Sequence, residues 1–249
     1  MNYNLLIDIG NSNIKTAKSV NDNISSVKIS QYSDSAFINI LSNLDKIYPQ
    51  NFTCIGVSLL DLKLKNKIAE ILKNKFDAPT LFISLDLKLP LKFNYSKTLG
   101  ADRICSAVSA FIKYNNKKNI LIIDLGTATT FNLIHNGTFT GGLISVGMHT
   151  SVKALAQNTT LPLVSFRKVP ELINDNTKDN IIAGAYYQNY FTVENVIKEL
   201  RKKYKDLFVI ATGGMSKHLI GRTALIDTLE PNLVLEGINN ILNFNTGNS

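Results

Sequence analysis

The sequence has no tryptophan, only six prolines and only two cysteines, Cys54 and Cys105. The cysteines form no CxxC or Cys/His cluster, so neither a disulfide framework nor a structural zinc site is supported. No run approaches the roughly 18 uncharged apolar residues that a membrane helix needs. The first residues lead directly into an apolar run, residues 5–7, without the basic and apolar regions of a secretory signal. These absences favour a cytoplasmic protein with no membrane partner.

Arginine is also scarce, although the formal net charge is +8. A basic chain can neutralise nucleic-acid phosphates. Here almost all of the basic residues are lysines, and they are spread along several segments rather than gathered into one tract. A stretch such as residues 199–205 is typical of a solvated helix face. We therefore expect no nucleic-acid partner, and a basic nucleic-acid-binding regulator remains an alternative.

One segment of the sequence occurs twice. Residues 5–13 reappear as residues 121–129, each an apolar run with one aspartate, then a glycine and small polar residues. Each copy is followed by a second stretch of strand character, residues 14–20 and 130–134, and then by turn residues. The repeat predicts two copies of one unit that contains three consecutive strands.

The remaining elements alternate between strand and helix. Periodicity predicts strands at residues 52–59, 80–84 and 207–211, and helices at residues 62–75, 104–114, 150–157 and 181–204, the last capped by Asp179 or Asn180. No Gly/Ser or Pro linker separates the halves. We expect an α/β protein with two lobes, residues 1–115 and 116–249, packed across a cleft.

Each repeat carries an Asp-x-Gly turn, at Asp8 and Gly10 and again at Asp124 and Gly126. Glycine lets backbone N–H groups approach a phosphate closely, and a strand-end carboxylate suits the magnesium that a nucleoside triphosphate carries. One such turn is most simply a β-turn, but two in the same setting favour a nucleotide site. Lys15, on the strand after the first turn, could meet a terminal phosphate.

A second constellation lies at the start of the predicted helix 104–114. The helix N-terminus favours an ionised Asp102, which could accept a proton from an alcohol. Arg103 could hold an anion through bidentate hydrogen bonds. The simpler alternative is an N-cap aspartate beside a solvated arginine.

Taken in order, these motifs resemble the type III pantothenate kinases over nearly the whole chain. The motifs are Asp-x-Gly-Asn-Ser-x-x-Lys at 8–15, Gly-x-Asp-Arg at 100–103, Asp-x-Gly-Thr-Ala-x-Thr at 124–130, Gly-Gly-x-Ile-x-x-Gly at 141–147 and Ala-Thr-Gly-Gly at 211–214. The wider superfamily includes acetate kinases, sugar kinases, Hsp70 and actin. The resemblance implies a duplicated fold of two ribonuclease-H-like lobes with a nucleotide cleft between them.

The resemblance implies that ATP, carried with Mg²⁺, is the phosphoryl donor and that a monovalent cation, K⁺ or NH₄⁺, is required. Asp124 would help to bind that cation, and Asp8 would favour magnesium-ATP. The implied ATP-binding residues are Asp8, Ile9, Gly10, Asn11, Ser12, Asn13, Ile14, Lys15, Thr127, Gly213 and Gly214.

The implied reaction is transfer of the ATP γ-phosphoryl group to the primary hydroxyl of pantothenate, the first step of coenzyme A synthesis. Asp102 would be the general base. The implied pantothenate-binding residues are Phe93, Gly100, Ala101, Asp102, Arg103 and, from the neighbouring subunit of a homodimer, Thr177.

Two positions depart from the family pattern. Phe93 stands where the family commonly has a tyrosine, so a hydroxyl hydrogen bond is lost unless Tyr95 replaces it. Val146 stands where a proline is usual, which loosens the turn without removing a reactive group. Another kinase or phosphatase of the superfamily, acting on a sugar or acetate-like acceptor, is a second alternative. The three histidines and both cysteines are expected to lie outside the chemistry.

Overall fold

The computed structural model describes residues 3–166, 168, 170–219 and 222–247. Its contacts divide the chain into two units. The first unit comprises Met1–Tyr114 together with Asn232–Ser249, and the second comprises Asn115–Pro231. None of the helices in these described ranges has an apolar stretch long enough to cross a membrane.

Strands and helices are mixed along the chain, and the helices at 34–47 and 233–246 are not predicted from the sequence. The strands are β1 (Tyr3–Ile9), β2 (Asn13–Val20), β3 (Asn23–Gln31), β4 (Cys54–Leu59), β5 (Thr80–Phe82), β6 (Lys92–Phe93), β7 (Asn119–Leu125), β8 (Ala128–His135), β9 (Thr138–Val146), β10 (Leu207–Thr212) and β11 (Thr228–Leu229). The helices are α1 (Asp34–Ser42), α2 (Leu44–Ile47), α3 (Lys65–Lys75), α4 (Ala101–Lys113), α5 (Met148–Asn158), α6 (Thr177–Lys203) and α7 (Leu233–Thr246).

The two units repeat one sheet topology. In the first unit the strand order is β3-β2-β1-β4-β5, and in the second the strands β9-β8-β7-β10-β11 follow the same order. In each unit the first three strands form an antiparallel meander. The fourth strand pairs in parallel with the first, and the fifth pairs in parallel with the fourth. The duplication that the sequence repeat predicts is therefore confirmed at the level of strand order and direction.

The central strands β1 and β4 of the first unit's sheet are buried on both faces. Alternate residues of β1 and β4, such as Ile7 and Val57, join a core cluster with α1 and α3. The opposite face carries Leu6 and Asp8 of β1 and, in register with them, Gly56 and Ser58 of β4. A Cβ atom at Gly56 would overlap with side chains of α7, so α7 covers this second face.

Helix α7, near the C-terminal end of the chain, groups with the first unit, whereas the division at residue 115 expected from sequence assigns it to the second lobe. Two features hold it there. The backbone of Gly237 lies so close to Cys105 of α4 that a Cβ atom would overlap with that residue's carbonyl group. Asn4 of β1 donates hydrogen bonds to Asn239 and Asn243 of α7, at 3.0 and 3.1 Å.

Two predicted helix starts differ from the structure. Helix α6 begins at Thr177, and its N-cap is Asn176, whose side chain accepts from the Asp179 N–H at 3.0 Å. The predicted cap at Asp179 or Asn180 is therefore wrong. The first turn of α6 is made of polar residues, so apolar periodicity does not indicate where the helix begins. The predicted helix 62–75 begins with a single 3-10 turn over residues 62–64.

Substitution of Gly237 by alanine tests the close packing of α4 against α7. The added Cβ would meet backbone atoms of Cys105, which cannot move aside as a side-chain tip can, so we expect a loss of about 3 kcal/mol in unfolding free energy. Urea denaturation of purified protein measures it. Gly184→Ala is the matched control, because Gly184 also lies inside a helix but has open space around its Cα, and alanine there should stabilise by about 0.5 to 1 kcal/mol. Equal stability of the two variants would contradict the packing argument.

Candidate active site

Asp8 lies near the end of β1, at the entrance to the first Asp-x-Gly turn. Its neighbours in register are Lys15 on β2 and Ser58 on β4. Gly10 closes the turn by donating its N–H to the Asn13 carbonyl at 3.0 Å. The side chains of residues 11–13 are exposed, whereas Asp8 is only 8 % exposed. The turn therefore presents small polar groups to solvent within a few residues of a buried carboxylate.

Burial raises the pKa of Asp8 to about 6 from its ordinary value of 3.8. The Lys15 ammonium and the Ser58 hydroxyl lower that pKa, and the charge of Asp102 raises it. Because desolvation outweighs the attraction of Lys15, the folded protein holds this carboxylate in an unfavourable charged state above about pH 6. A group of this kind, buried next to a second carboxylate, is typical of a functional site.

Asp102 lies in the first turn of α4. Its Oδ1 accepts the Arg103 N–H at 2.8 Å, and a Cβ atom at Gly100 would come within 2.6 Å of the same oxygen. Glycine at position 100 thus leaves room for the carboxylate to fold back over the helix start. Burial raises the pKa of Asp102, and the Arg103 N–H and guanidinium oppose that rise. The result is a half-buried carboxylate of increased basicity.

The simpler interpretation of the Asp102 and Arg103 pair is wrong on both counts. The N-cap of α4 is Gly100, not an aspartate, and no side chain caps this helix start. Arg103 is only 8 % exposed, and its guanidinium lies over the ring of Tyr95, 5.3 Å from the centroid. Arg103 is therefore buried and stacked on an aromatic ring, not solvated.

The Cys105 thiol is affected by the charges of both carboxylates, Asp8 and Asp102. This thiol is fully buried, and its pKa is raised well above the ordinary value, first by burial and then by the charges of Asp8 and Asp102. Both carboxylates therefore act electrostatically on one point of α4, within one unit of the protein. The thiol itself stays protonated and is no nucleophile, as expected from the sequence.

The second unit builds a related turn from the other repeat. Asp124 lies near the end of β7, and Gly126 donates its N–H to the Ala128 carbonyl at 3.1 Å. The Thr127 carbonyl accepts two hydrogen bonds, from the Gly147 N–H at 3.2 Å and the Thr150 hydroxyl at 2.6 Å. These bonds hold the turn beside Val146, the position where the family usually has a proline. The Thr127 side chain is exposed.

The glycine pair at 213 and 214 lies against this second turn. Gly213 has a φ of +90°, and a Cβ atom there would overlap with the Asp124 carboxylate and the Leu125 backbone. The Met215 N–H donates to the Leu125 carbonyl at 3.0 Å. Gly214, by contrast, is exposed and has no heavy atom within 4 Å of its Cβ position. Two motifs separated by 87 residues in sequence thus form one local surface in the second unit.

The remaining predicted residues lie in less specific surroundings. Phe93 is half-buried on β6, and Thr177 is exposed at the first position of α6. Among the described residues, no group of three or more His, Cys, Asp or Glu side chains is placed to hold a metal ion. The search of the sequence missed Ser58, whose signal is a lone hydroxyl in an otherwise apolar buried strand.

Comparison with known proteins gives one consistent family. A family model described as type III pantothenate kinase matches residues 4–199. A protein named type III pantothenate kinase from Christiangramia forsetii is 35 % identical, over 97 % of this chain and 98 % of its own length. Another of that name from Petrotoga mobilis is 30 % identical, over 94 % of this chain and 95 % of its own length.

Solved structures share the fold at lower identity. A Campylobacter jejuni protein described as a Baf family transcriptional activator matches with a TM-score of 0.61 and 17 % identity, over 98 % of this chain and 99 % of its own. A Listeria monocytogenes protein described as an N-acetylmannosamine kinase matches with a TM-score of 0.55 and 15 % identity, over 97 % and 99 %. These matches confirm the α/β fold of duplicated units.

Substitution of Asp8 by asparagine tests the cost of the buried charge. Because the folded pKa is raised to about 6, Asp8 stabilises the fold fully below about pH 3.8 and loses that contribution as the pH rises through 6. At pH 7.5 the wild type therefore holds a buried charge that the variant lacks. We expect Asp8→Asn to be more stable by about 2 to 3 kcal/mol at pH 7.5 and close to wild type at pH 4, measured by urea unfolding. A difference that does not change with pH would contradict this.

The adjacent glycines allow a matched pair of substitutions. Gly213→Ala should strain the backbone and displace Asp124, lowering stability by about 2 kcal/mol and raising the KM for ATP. Gly214→Ala should leave stability unchanged within about 0.5 kcal/mol, because nothing surrounds its Cβ position. Thermal unfolding and steady-state kinetics distinguish the two variants. A destabilised Gly214→Ala would contradict the local geometry.

Proposed function

The chain belongs to the type III pantothenate kinase family, and on this premise we propose which of its residues carry out the ATP-dependent phosphorylation of pantothenate. The reaction gives 4′-phosphopantothenate for coenzyme A synthesis. The observation that carries the residue assignment is the pair of carboxylates in the first unit. Asp8 and Asp102 both act on buried Cys105, and both have a pKa raised by burial.

Asp102 is the general base. It accepts the proton of the pantothenate primary hydroxyl while that oxygen attacks the γ-phosphorus of ATP. The bond between the γ-phosphorus and the bridging oxygen breaks, and ADP leaves with the electron pair. A raised pKa makes Asp102 a stronger base than an exposed aspartate, and its bond to the Arg103 N–H holds one oxygen still so that the other can face the acceptor.

Asp8 and Lys15 serve the phosphoryl group. They lie in register on neighbouring strands, so a carboxylate and an ammonium share one face at the end of the first hairpin. Magnesium is commonly held by one or two carboxylates together with substrate phosphates, and Asp8 fits that role. Mg²⁺ held there would neutralise negative charge on the phosphates, and the Lys15 ammonium would add a second positive charge. The turn at residues 9–14 supplies backbone N–H groups for a phosphate.

The second unit supplies nucleotide and cation contacts. The exposed Thr127 and the open Gly214 suit a close approach of ATP, and Gly213 is the residue that permits the turn. The Asp124 carboxylate lies against Gly213, next to the Leu125 backbone. A carboxylate oxygen is a suitable ligand for a hard cation, and we assign K⁺ or NH₄⁺ to Asp124.

The acceptor pocket begins at the α4 N-terminus. Gly100 and Ala101 form its floor, and the buried Arg103 guanidinium suits the pantothenate carboxylate. Phe93 supplies an apolar contact there, without the hydroxyl that the family commonly has. We further propose a cytoplasmic homodimer in which Thr177 reaches the pantothenate of the neighbouring subunit.

Asp102→Asn tests the assignment. In a coupled assay with ATP, Mg²⁺, K⁺ and pantothenate, loss of the general base should lower kcat by about 100- to 10,000-fold. Asp86→Asn is the control, because Asp86 pairs with Lys97 at an exposed site and should have no effect. Circular dichroism checks that both variants remain folded.

Three other outcomes would contradict the proposal in different ways. Full activity of Asp102→Asn would remove this carboxylate from the mechanism. Turnover with a sugar or acetate but none with pantothenate would favour another kinase of the superfamily. Absence of K⁺-stimulated turnover together with steeply salt-dependent DNA affinity would favour a nucleic-acid-binding regulator.

A further inference from the structure

Ser58 is a polar residue in an apolar setting. It lies on β4, and every residue of this strand is buried. Its strand neighbours are Cys54, Ile55, Gly56, Val57 and Leu59, none of which carries a hydroxyl or a charge. Ser58 itself has no exposed surface. A serine in such a strand loses its hydration without adding apolar contact, so its presence needs a physical reason.

The Ser58 hydroxyl has no hydrogen-bond partner among the described residues. Buried hydroxyl groups are almost always bonded, and an exception commonly marks a functional site or a group that engages in another state of the protein. A structural serine would be bonded, as Ser109 is to Glu236 at 3.1 Å and Ser19 is to Asn239. Ser58 therefore lacks the kind of bond that ties Ser109 and Ser19 to α7.

The group that Ser58 faces is Asp8. Parallel pairing of β1 with β4 sets the two residues side by side, so both side chains project from the same face of the sheet. The approach is close enough for the hydroxyl to lower the pKa of Asp8, although the present geometry falls short of a formed hydrogen bond. A small rotation about χ1 of serine costs little and would complete that bond.

We propose that Ser58 is a positioning residue for Asp8, donating its hydroxyl hydrogen to one carboxylate oxygen and so fixing the orientation of the other. This rests on the proposed function, in which Asp8 serves magnesium-ATP. A carboxylate in a buried site has few donors, and a neutral hydroxyl orients it without neutralising its charge. In this proposal Lys15 provides a positive charge beside Asp8, whereas Ser58 fixes the orientation of the Asp8 carboxylate.

The same register recurs in the second unit. Asp124 of β7 pairs in parallel with Thr212 of β10, a residue that is 3 % exposed. Each unit thus sets a buried hydroxyl residue beside the aspartate of its Asp-x-Gly turn. Strands β4 and β10 otherwise share little sequence. If Ser58 were there by chance, a second hydroxyl residue would not be expected at the equivalent position of β10.

Ser58→Ala separates positioning from packing because the two roles predict different effects on stability. The hydroxyl makes no formed bond in the free protein and only partly offsets the burial of Asp8, so its removal should leave the melting temperature close to that of the wild type. Loss of orientation at Asp8 should lower kcat and raise the Mg²⁺ concentration for half-maximal rate, by about 10- to 100-fold, with the KM for pantothenate unchanged. Ser58→Cys, similar in size but a weaker donor, should give an intermediate loss.

The control is Ser109→Ala, a buried serine of the same unit with a bonded hydroxyl. It should lose stability and keep wild-type kinetics and Mg²⁺ dependence. Calorimetric titration with a non-hydrolysable ATP analogue gives a readout independent of turnover. Ser58→Ala should bind the analogue about tenfold more weakly with Mg²⁺, and with wild-type affinity when EDTA removes the metal.

Wild-type kinetics and Mg²⁺-dependent affinity in Ser58→Ala would overturn the proposal. A loss of activity that merely follows a lowered melting temperature would also overturn it, since it would show a structural role. If the wild-type protein failed to phosphorylate pantothenate, the proposed function would fail instead. The calorimetric comparison would still decide the role of Ser58 in that case.

Discussion

The burial of one carboxylate, Asp8, at the end of β1 is the constraint around which the first unit is organised. Desolvation raises its pKa to about 6, so the protein holds a charge at neutral pH that it would be more stable without. Lys15 and Ser58 flank it in register, and α4 brings Asp102 into electrostatic range. In the proposed mechanism, this costly burial places a fixed, dry carboxylate next to the phosphates, as phosphoryl transfer requires.

Close backbone approaches at glycines make this arrangement possible. Gly56 and Gly237 let α7 pack onto β4 and α4, and α4 carries Asp102 in its first turn. The position of the proposed general base therefore depends on a helix near the far end of the chain. Gly213 plays a similar part in the second unit, because only a residue without a side chain fits its positive φ beside Asp124.

Duplication gives two similar scaffolds that have different chemistry. The strand order is the same in both units, and both aspartates have a buried hydroxyl residue on the neighbouring parallel strand. The antiparallel neighbour differs, since Lys15 faces Asp8 whereas Thr130 faces Asp124. This one cross-strand difference agrees with the proposed roles, in which the first turn serves phosphate and Mg²⁺ and the second a monovalent cation with no competing ammonium nearby.

The sequence by itself determined the family and the duplicated strand order, and it placed Asp8 and Asp124 near strand ends and Asp102 near a helix start. Those features are local patterns: strand-end aspartates, glycine turns and a helix N-terminus at residues 100–103. It did not determine the placement of α7 with the first unit or the start of α6, since the former depends on long-range glycine packing and the latter on an Asn176 cap ahead of a polar turn. Only the tertiary structure decided that Arg103 is buried and that Ser58 lies beside Asp8 without a partner, because burial and strand register arise from contacts between segments distant in sequence.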